Sequence, residues 1–324
     1  MLISGGSGFI GSHLTERLLA RGDQVTVVDN LSTGGRANLP QFHERLRFIE
    51  ADLKDALGAF GKGERFEEIY HLAAAVGVKL VIADPIKSIE TNIEQTSAIL
   101  RFATVRSADG GPVPTLIASS SEVYGKSAKN PFNEDDDVVY GPTTFTRWSY
   151  ACTKAVDEYL ALAYRARHAL PVVVARFFNT VGPRQVGEYG MVVPRFVEAA
   201  LADKPIDVYG DGTQSRCFCD VRDVAGVLPT LLATPPCYGR IFNLGSDRAM
   251  TIRELADLVI RTLGSSSQIR LVPYSQAYIA GFEDLLQRRP DLARVRQAVG
   301  FEAKIPIEQT IRDMAAWMKN GNGV

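Results

Sequence analysis

Residues 2–14 read LISGGSGFIGSHL, and the spacing of their glycines decides the fold class. Gly6, Gly8 and Gly11 fall in G-x-G-x-x-G register, and Gly5, Gly8 and Gly11 in G-x-x-G-x-x-G register. Met1-Leu2-Ile3 precedes the loop as a short strand, and Phe9 to Arg21 follows as an amphipathic helix. Glycine permits a tight turn and lets backbone approach a pyrophosphate. The free N–H groups and positive dipole end of the helix then meet the phosphate charge. The second strand, Gln24 to Asp29, ends on an acid. A carboxylate there accepts hydrogen bonds from both hydroxyls of an adenosine ribose and repels a 2′-phosphate, which points to NAD rather than NADP.

Outward from this loop, strand-length apolar runs alternate with helical patterns. Strands are expected at Leu46–Ile49, Ile69–Leu72, Val113–Ala118 and Val172–Phe177, with long helices at Ile86–Ser107 and Trp148–His168. That alternation implies an α/β fold, a Rossmann-type doubly wound parallel sheet covered on both faces. After about Asn179 the pattern changes to loops rich in Gly and Pro, TVGPRQVGEYG and VYGDGTQSR. Helices are expected there at Pro194–Asp203, Thr251–Leu263 and Ile307–Lys319. The expected division is a dinucleotide-binding domain over 1–178, to which 221–246 returns through the strand IFNLGS. A smaller mixed C-terminal substrate lobe occupies most of 179–324.

Composition narrows the partners. The chain has 324 residues, 46% hydrophobic and 23% charged, with a net charge of -1 and no run of Lys and Arg, so neither nucleic acid nor an anionic membrane is expected. No apolar stretch approaches the ~20 residues that span a bilayer. The N-terminus runs straight into the glycine loop, and four sparse cysteines read as reduced thiols; the expectation is a cytoplasmic protein. Cys217 and Cys219 read as small core residues, and His13 and His71 as packing residues. Asp135-Asp136-Asp137 reads as a solvated loop, because its spacing does not fit a calcium loop.

Two further stretches carry chemistry. SSSEVYG, residues 119–125, crowds Ser120 and Glu122 at the carboxyl end of a buried strand. Such polar groups suit either a turn that satisfies its own backbone or the floor of an active site. SYACTK places Tyr150 and Lys154 four residues apart, on one face of a helix. A phenol titrates near ~10, too high for a base at neutral pH, but an ammonium within ~4–6 Å stabilises the phenolate.

With these motifs the chain resembles the extended short-chain dehydrogenase/reductase family, the NAD-dependent nucleotide-sugar epimerases, dehydratases and decarboxylases. The resemblance is carried by GGSGFIGSH, VVDNLSTG, ADL at 51–53, HLAA at 71–74, SSSEVYG, SYACTK, RFFNTVGPR and YGDGTQSRCF. It implies that Asp52 and Leu53 flank the adenine and that Ala73 lies along the cofactor. Gly5, Gly8, Phe9, Ile10, Gly11, Asp29, Asn30, Ser32, Thr33 and Gly34 would belong to the same NAD site. So would Leu72, Ala74, Asn92, Ser119 and Phe177, with Tyr150 and Lys154 shared between cofactor and chemistry. It further implies that Asn179 and Arg216 hold the substrate's diphosphate, near Arg184 and Val193. A homodimer is expected through the helices near Asn92–Arg106 and Tyr150–His168.

The same resemblance refines the reaction. Ser120 would bond the sugar's C4 oxygen beside Tyr150, and Glu122 would manage a proton or orient the substrate near C5. Dehydratases of the family carry an Asp-Glu pair where this chain has Ser121-Glu122, and the resemblance implies that both residues touch the substrate. Ser-Glu before VYG, RWSYACTK with Arg147, and QRRPD with Arg288 near the substrate's carboxylate or diphosphate are more similar to the UDP-glucuronate decarboxylases. A UDP-sugar substrate and conversion of UDP-glucuronate to UDP-xylose are thus expected. A UDP-sugar or UDP-uronate 4-epimerase is the alternative, and a non-catalytic NAD-binding regulator is the reading from another class.

Overall fold

The computed structural model describes residues 1–74, 84–107, 109–187, 191–273 and 287–322; the end of the TVGPRQVGEYG run, 188–190, falls outside them. Its centre is a seven-stranded sheet. The strands are β1 (Leu2–Ser4), β2 (Val25–Asp29), β3 (Leu46–Glu50), β4 (Ile69–His71), β5 (Thr115–Ser120), β6 (Val172–Phe177) and β11 (Arg240–Leu244). They lie in the order β3-β2-β1-β4-β5-β6-β11, every pairing parallel. That is the doubly wound order with one strand added at the β6 edge. The added strand is the one read in IFNLGS, registered Phe242 on Ala175.

Alternation along each strand explains the two covered faces. Ile3, Val27, Leu116 and Val173 pack with α1 (Phe9–Arg21) and α6 (Val221–Leu232). Their neighbours Leu2, Val28, Ile117 and Val172 pack on the other face with α2 (Leu53–Ala59), α3 (Pro85–Ala103) and α4 (Ser149–His168). Burial on both faces requires apolar side chains of both parities, hence the unbroken run Val172-Val173-Val174-Ala175.

The strand expected at Val113–Ala118 begins and ends two residues later, at Thr115–Ser120. Pro114 cannot donate to a ladder, and the Val113 N–H goes instead to the Ala103 carbonyl, 2.8 Å away. The shift puts Ser119 and Ser120 on the strand itself and leaves Ser121–Tyr124 as a 3₁₀ turn.

A second core gathers Val193, Phe196, Val208, Leu255, Val259, Ile311 and Met314. It joins α5 (Val192–Leu201), α7 (Ile252–Leu263) and α9 (Ile307–Trp317), with α8 (Ala293–Val299) lying before α9 in the chain. Its strands are short. β7 (Thr180–Val181) pairs with β10 (Cys219–Asp220), and β8 (Ile206–Tyr209) with β13 (Ile269–Val272). β9 (Ser215–Cys217) lies between β12 (Ala249–Thr251) and β14 (Gln287–Arg288). No helix among the described residues is long and apolar enough to cross a membrane.

Candidate active site

At the carboxyl ends of the sheet strands lies a cleft of about 1560 Å³. Its position, over the point where the strand order reverses between β1 and β4, is where open α/β sheets take ligands.

The glycine loop shapes one end. Gly5 has φ +74°, and a Cβ there would stand 2.7 Å from the Ala73 nitrogen. A Cβ on Gly11 would come 2.0 Å from the Gly5 carbonyl oxygen, so any side chain would open the turn. Gly8 is the N-cap of α1, with no side chain capping it and no acid in the first turn. Asp29 accepts from the Ser7 and Leu31 N–H groups, each at 2.9 Å, which uses about half of a carboxylate's ~four lone-pair sites. The remainder suits ribose hydroxyls. Asn30 donates to Asp52 at 2.7 Å, tying the ends of the β2 and β3 loops. An uncapped helix end, glycines that leave room for backbone approach and an acid at the second strand together fit a dinucleotide.

Gly5, Gly8, Phe9, Ile10, Gly11, Asp29, Asn30, Ser32, Thr33 and Gly34 all line this cleft. So do Asp52, Leu53, Leu72, Ala73, Ala74, Ser119 and Phe177. Asn92 does not: it is buried and its amide donates to Thr153 at 3.3 Å, in the seam between α3 and α4.

Ser120, Glu122, Tyr150 and Lys154 meet in the middle. Ser120 caps the turn by accepting the Glu122 N–H at 3.2 Å and lines the cleft with Tyr150. Burial raises the phenol's pKa, and the Glu122 charge raises it further; the Ser120 hydroxyl works the other way. The Lys154 ammonium is buried and donates to the Ala118 carbonyl at 3.0 Å and to Asp157 at 3.1 Å.

Glu122 is held from two sides, by Arg147 at 2.7 Å and Arg288 at 2.5 Å. Burial alone would raise its carboxyl, but the two guanidinium groups bring it down to about 2. β9 and β14 set Arg216 and Arg288 opposite one another as register partners. Arg147, Asn179, Arg184, Val193, Arg216 and Arg288 all reach the cleft wall. Asn179 donates to the Cys217 carbonyl at 3.3 Å, and Arg184 pairs with Glu16 at 2.5 Å. Ser121 turns away: it is buried behind the 3₁₀ turn and outside the cleft lining. Three residues per turn send consecutive side chains in different directions.

Three cleft features lay outside the sequence reading. Arg195 donates to the Tyr209 hydroxyl at 2.6 Å, and Gln185 and Gln214 are buried in the wall beside Phe218. Asp157, behind Lys154, is fully buried. The acid's position three residues after Lys154, on the same helix face, was the available signal.

Other side chains settle as structure. His71 bridges the Ser4 and Thr96 hydroxyls and is pushed to about 3 by burial and by Lys154. His13 is hydrogen-bonded to the Pro183 carbonyl at 3.1 Å. Asp135 and Asp136 are taken up by Arg294 and Lys129. Cys217 and Cys219 are both buried.

Residues 1–245 match the NAD dependent epimerase/dehydratase family. The chain belongs to this family. It is 39% identical over 320 residues to a UDP-N-acetyl-alpha-D-glucosaminuronate decarboxylase of Bacillus cytotoxicus, covering 98% of this chain and 97% of that one. It is 35% identical to UDP-glucuronic acid decarboxylase 1 of Danio rerio, over 95% of this chain and 70% of that one. Among solved structures, a Thermus thermophilus UDP-glucose 4-epimerase in complex with NAD superimposes with a TM-score of 0.84. That match has 28% identity over 98% of each chain. NAD is the cofactor of this family.

Proposed function

We propose that this chain decarboxylates UDP-glucuronate to UDP-xylose through a 4-keto sugar, using Ser120, Glu122, Tyr150 and Lys154, with Arg147 and Arg288 at the substrate's carboxylate. The observation that carries the reading is the clamp of Arg147 and Arg288 on Glu122, in the same cleft as Ser120 and Tyr150. A uronate brings a second carboxylate to that cleft, and guanidinium forks are suited to recognise it. A 4-epimerase acting on a neutral sugar has no need of two arginines there, one buried and one half-buried. A dehydratase needs an acid that releases a proton, whereas Glu122, at about 2, is ionised at neutral pH.

Bound NAD supplies oxidation at C4 and the matching reduction at the end. Tyr150 takes the proton of the C4 hydroxyl, and Ser120, beside it in the cleft, orients that oxygen. With a ketone at C4 the uronate is a β-keto acid. The C5–C6 bond breaks, carbon dioxide leaves, and the electron pair moves to the C4 oxygen as an enolate. Tyr150 and Ser120 donate to that oxygen while a proton adds at C5. Asn179, Arg184, Arg216 and Val193 are assigned to the nucleotide diphosphate side. In this reading residues 1–178 with 221–246 hold the dinucleotide, and most of 179–324 holds the nucleotide sugar.

A second reading, decarboxylation of the N-acetylated uronate, is favoured by the name of the 39% identical relative. Parallel incubations with UDP-glucuronate and UDP-N-acetylglucosaminuronate separate the two. Carbon dioxide with a pentose nucleotide from the first substrate supports the proposal. A 4-epimer that keeps its carboxylate, from either substrate, rejects it. A homodimer through α3 and α4 goes with the reading, supported by the exposed Ile86 and Tyr159 on those helices. The free thiols support a cytoplasmic setting.

A further inference from the structure

Alternation along β11 sends Phe242 and Leu244 into the core against α1 and α6 and turns Asn243, fully buried, the other way. An asparagine amide offers one acceptor and two donors at a single point, and burial makes each costly to leave unpaired. Here all are used. Oδ1 accepts from the Tyr124 hydroxyl at 2.7 Å, while Nδ2 donates to the Phe132 carbonyl at 3.0 Å and to the Asp291 carbonyl at 3.2 Å.

These partners flank the residues that clamp the cleft. Tyr124 ends the 3₁₀ turn that carries Glu122, and its ring stacks on Phe132 with centroids 4.6 Å apart. Asp291 follows shortly after Arg288 in the chain. β14 itself has two residues and sets Arg288 opposite another cation, Arg216, so the ladder holds it weakly. The chain after it is held instead by Phe132, whose N–H donates to the Arg289 carbonyl and whose carbonyl accepts from the Asp291 N–H, each at 2.8 Å. Arg288 is 7% exposed, and its Nε is buried with no partner among the described residues. The guanidinium's place is therefore set by its backbone and by the bond to Glu122.

We propose that Asn243 is the positioning residue of the Glu122–Arg288 pair: one buried amide ties the turn behind Glu122 to the segment behind Arg288, and so fixes where the cleft presents its guanidinium to a carboxylate. The proposal rests on the uronate reading above. Asn243 lies outside the cleft lining and acts through Tyr124, Phe132 and Asp291.

Two variants and two readouts test it. Asn243→Ser withdraws the amide from both carbonyls. Tyr124→Phe deletes one hydroxyl within an aromatic cluster, and decides the matter where Asn243→Ser does not fold. In protein labelled with nitrogen-15 arginine, the Arg288 Nε–H signal, identified by its loss in Arg288→Lys, reports the guanidinium without any substrate. Both variants are expected to speed its exchange with water at least about tenfold. Calorimetric titration of NADH-loaded protein, which cannot oxidise the sugar, then compares UDP-glucuronate with UDP-glucose. Asn243→Ser is expected to weaken binding of the uronate about 10-fold and Tyr124→Phe about 3-fold, each leaving UDP-glucose within about 2-fold. In an Arg288→Ala background neither variant alters the ratio further.

An unmoved Arg288 signal, or an unchanged uronate preference, overturns the proposal, and a lowered thermal midpoint beside either marks a merely structural residue. Equal weakening of the two sugars, or losses that add to that of Arg288→Ala, overturn it as well. Unmutated protein that binds the two sugars alike rejects the uronate reading, and the arginine signal alone then decides for or against Asn243.

Discussion

Arg288 and Glu122 stand 166 residues apart in the chain and 2.5 Å apart in space, Nη1 to Oε1. The contact binds the short strand β14 to the turn that follows β5, and so closes the small lobe's edge onto the catalytic strand. Arg288→Ala removes one of the two cations assigned to the substrate carboxylate. Charge-assisted bonds of this kind contribute about 1.5–3 kcal/mol, so kcat/KM for the uronate is expected to fall about 10- to 100-fold. Steady-state rates of carbon dioxide release check this.

The same clamp predicts an acid-stability window. Glu122 has its pKa depressed from 4.5 to about 2 in the folded protein. A depressed carboxyl stabilises the fold above its unfolded pKa, and that contribution is lost as pH falls from 4.5 toward about 2. Glu122→Gln is therefore expected to unfold more readily at neutral pH, and to lose less further stability across that window than the native chain. Denaturant titrations at a series of pH values measure both.

Gly11→Ala is expected to abolish cofactor retention, because the added methyl would stand 2.0 Å from the Gly5 carbonyl oxygen and open the phosphate turn. Purified protein assayed for bound NAD by acid release shows the difference directly. Asp29→Asn is expected to keep the turn, since its amide oxygen can still accept one of the two N–H bonds, yet bind NAD more weakly.

Behind the site, Arg176 grips Glu158 through two bonds of 2.9 and 2.7 Å, and Glu158 also accepts from Ser119 at 2.5 Å. All three residues are buried. Glu158→Gln leaves the Arg176 charge uncompensated, and breaking such a pair costs about 3–5 kcal/mol. Thermal unfolding is expected to shift down by several degrees.

The local parts of this site were legible because local spacing carries them. Glycine register, the acid ending β2 and the four-residue step from Tyr150 to Lys154 are each written within one turn or strand. What the sequence could not convey depends on register between distant segments or on which side of a turn a residue faces. Ser121 sits one residue past Ser120 and points into the protein. Asn92 falls on the side of α3 that meets Thr153. A neighbouring acid, Asp157, unremarked in the pattern, accepts from the Lys154 ammonium. In the small lobe the strands run from two to four residues, too short for periodicity to mark them. Hence helices there were readable and the pairing of Arg216 with Arg288 was not.

The most direct test follows the fate of the carboxyl carbon. Protein as purified, with no NAD added, is incubated in heavy water with UDP-glucuronate labelled at its carboxylate, and the products are read by nuclear magnetic resonance. The account predicts that the label leaves wholly as carbon dioxide. The UDP-xylose left behind should carry one solvent deuteron at C5, and Tyr150→Phe should slow this at least about 100-fold. Label retained in a UDP-hexuronate, or turnover indifferent to Tyr150→Phe, would contradict it.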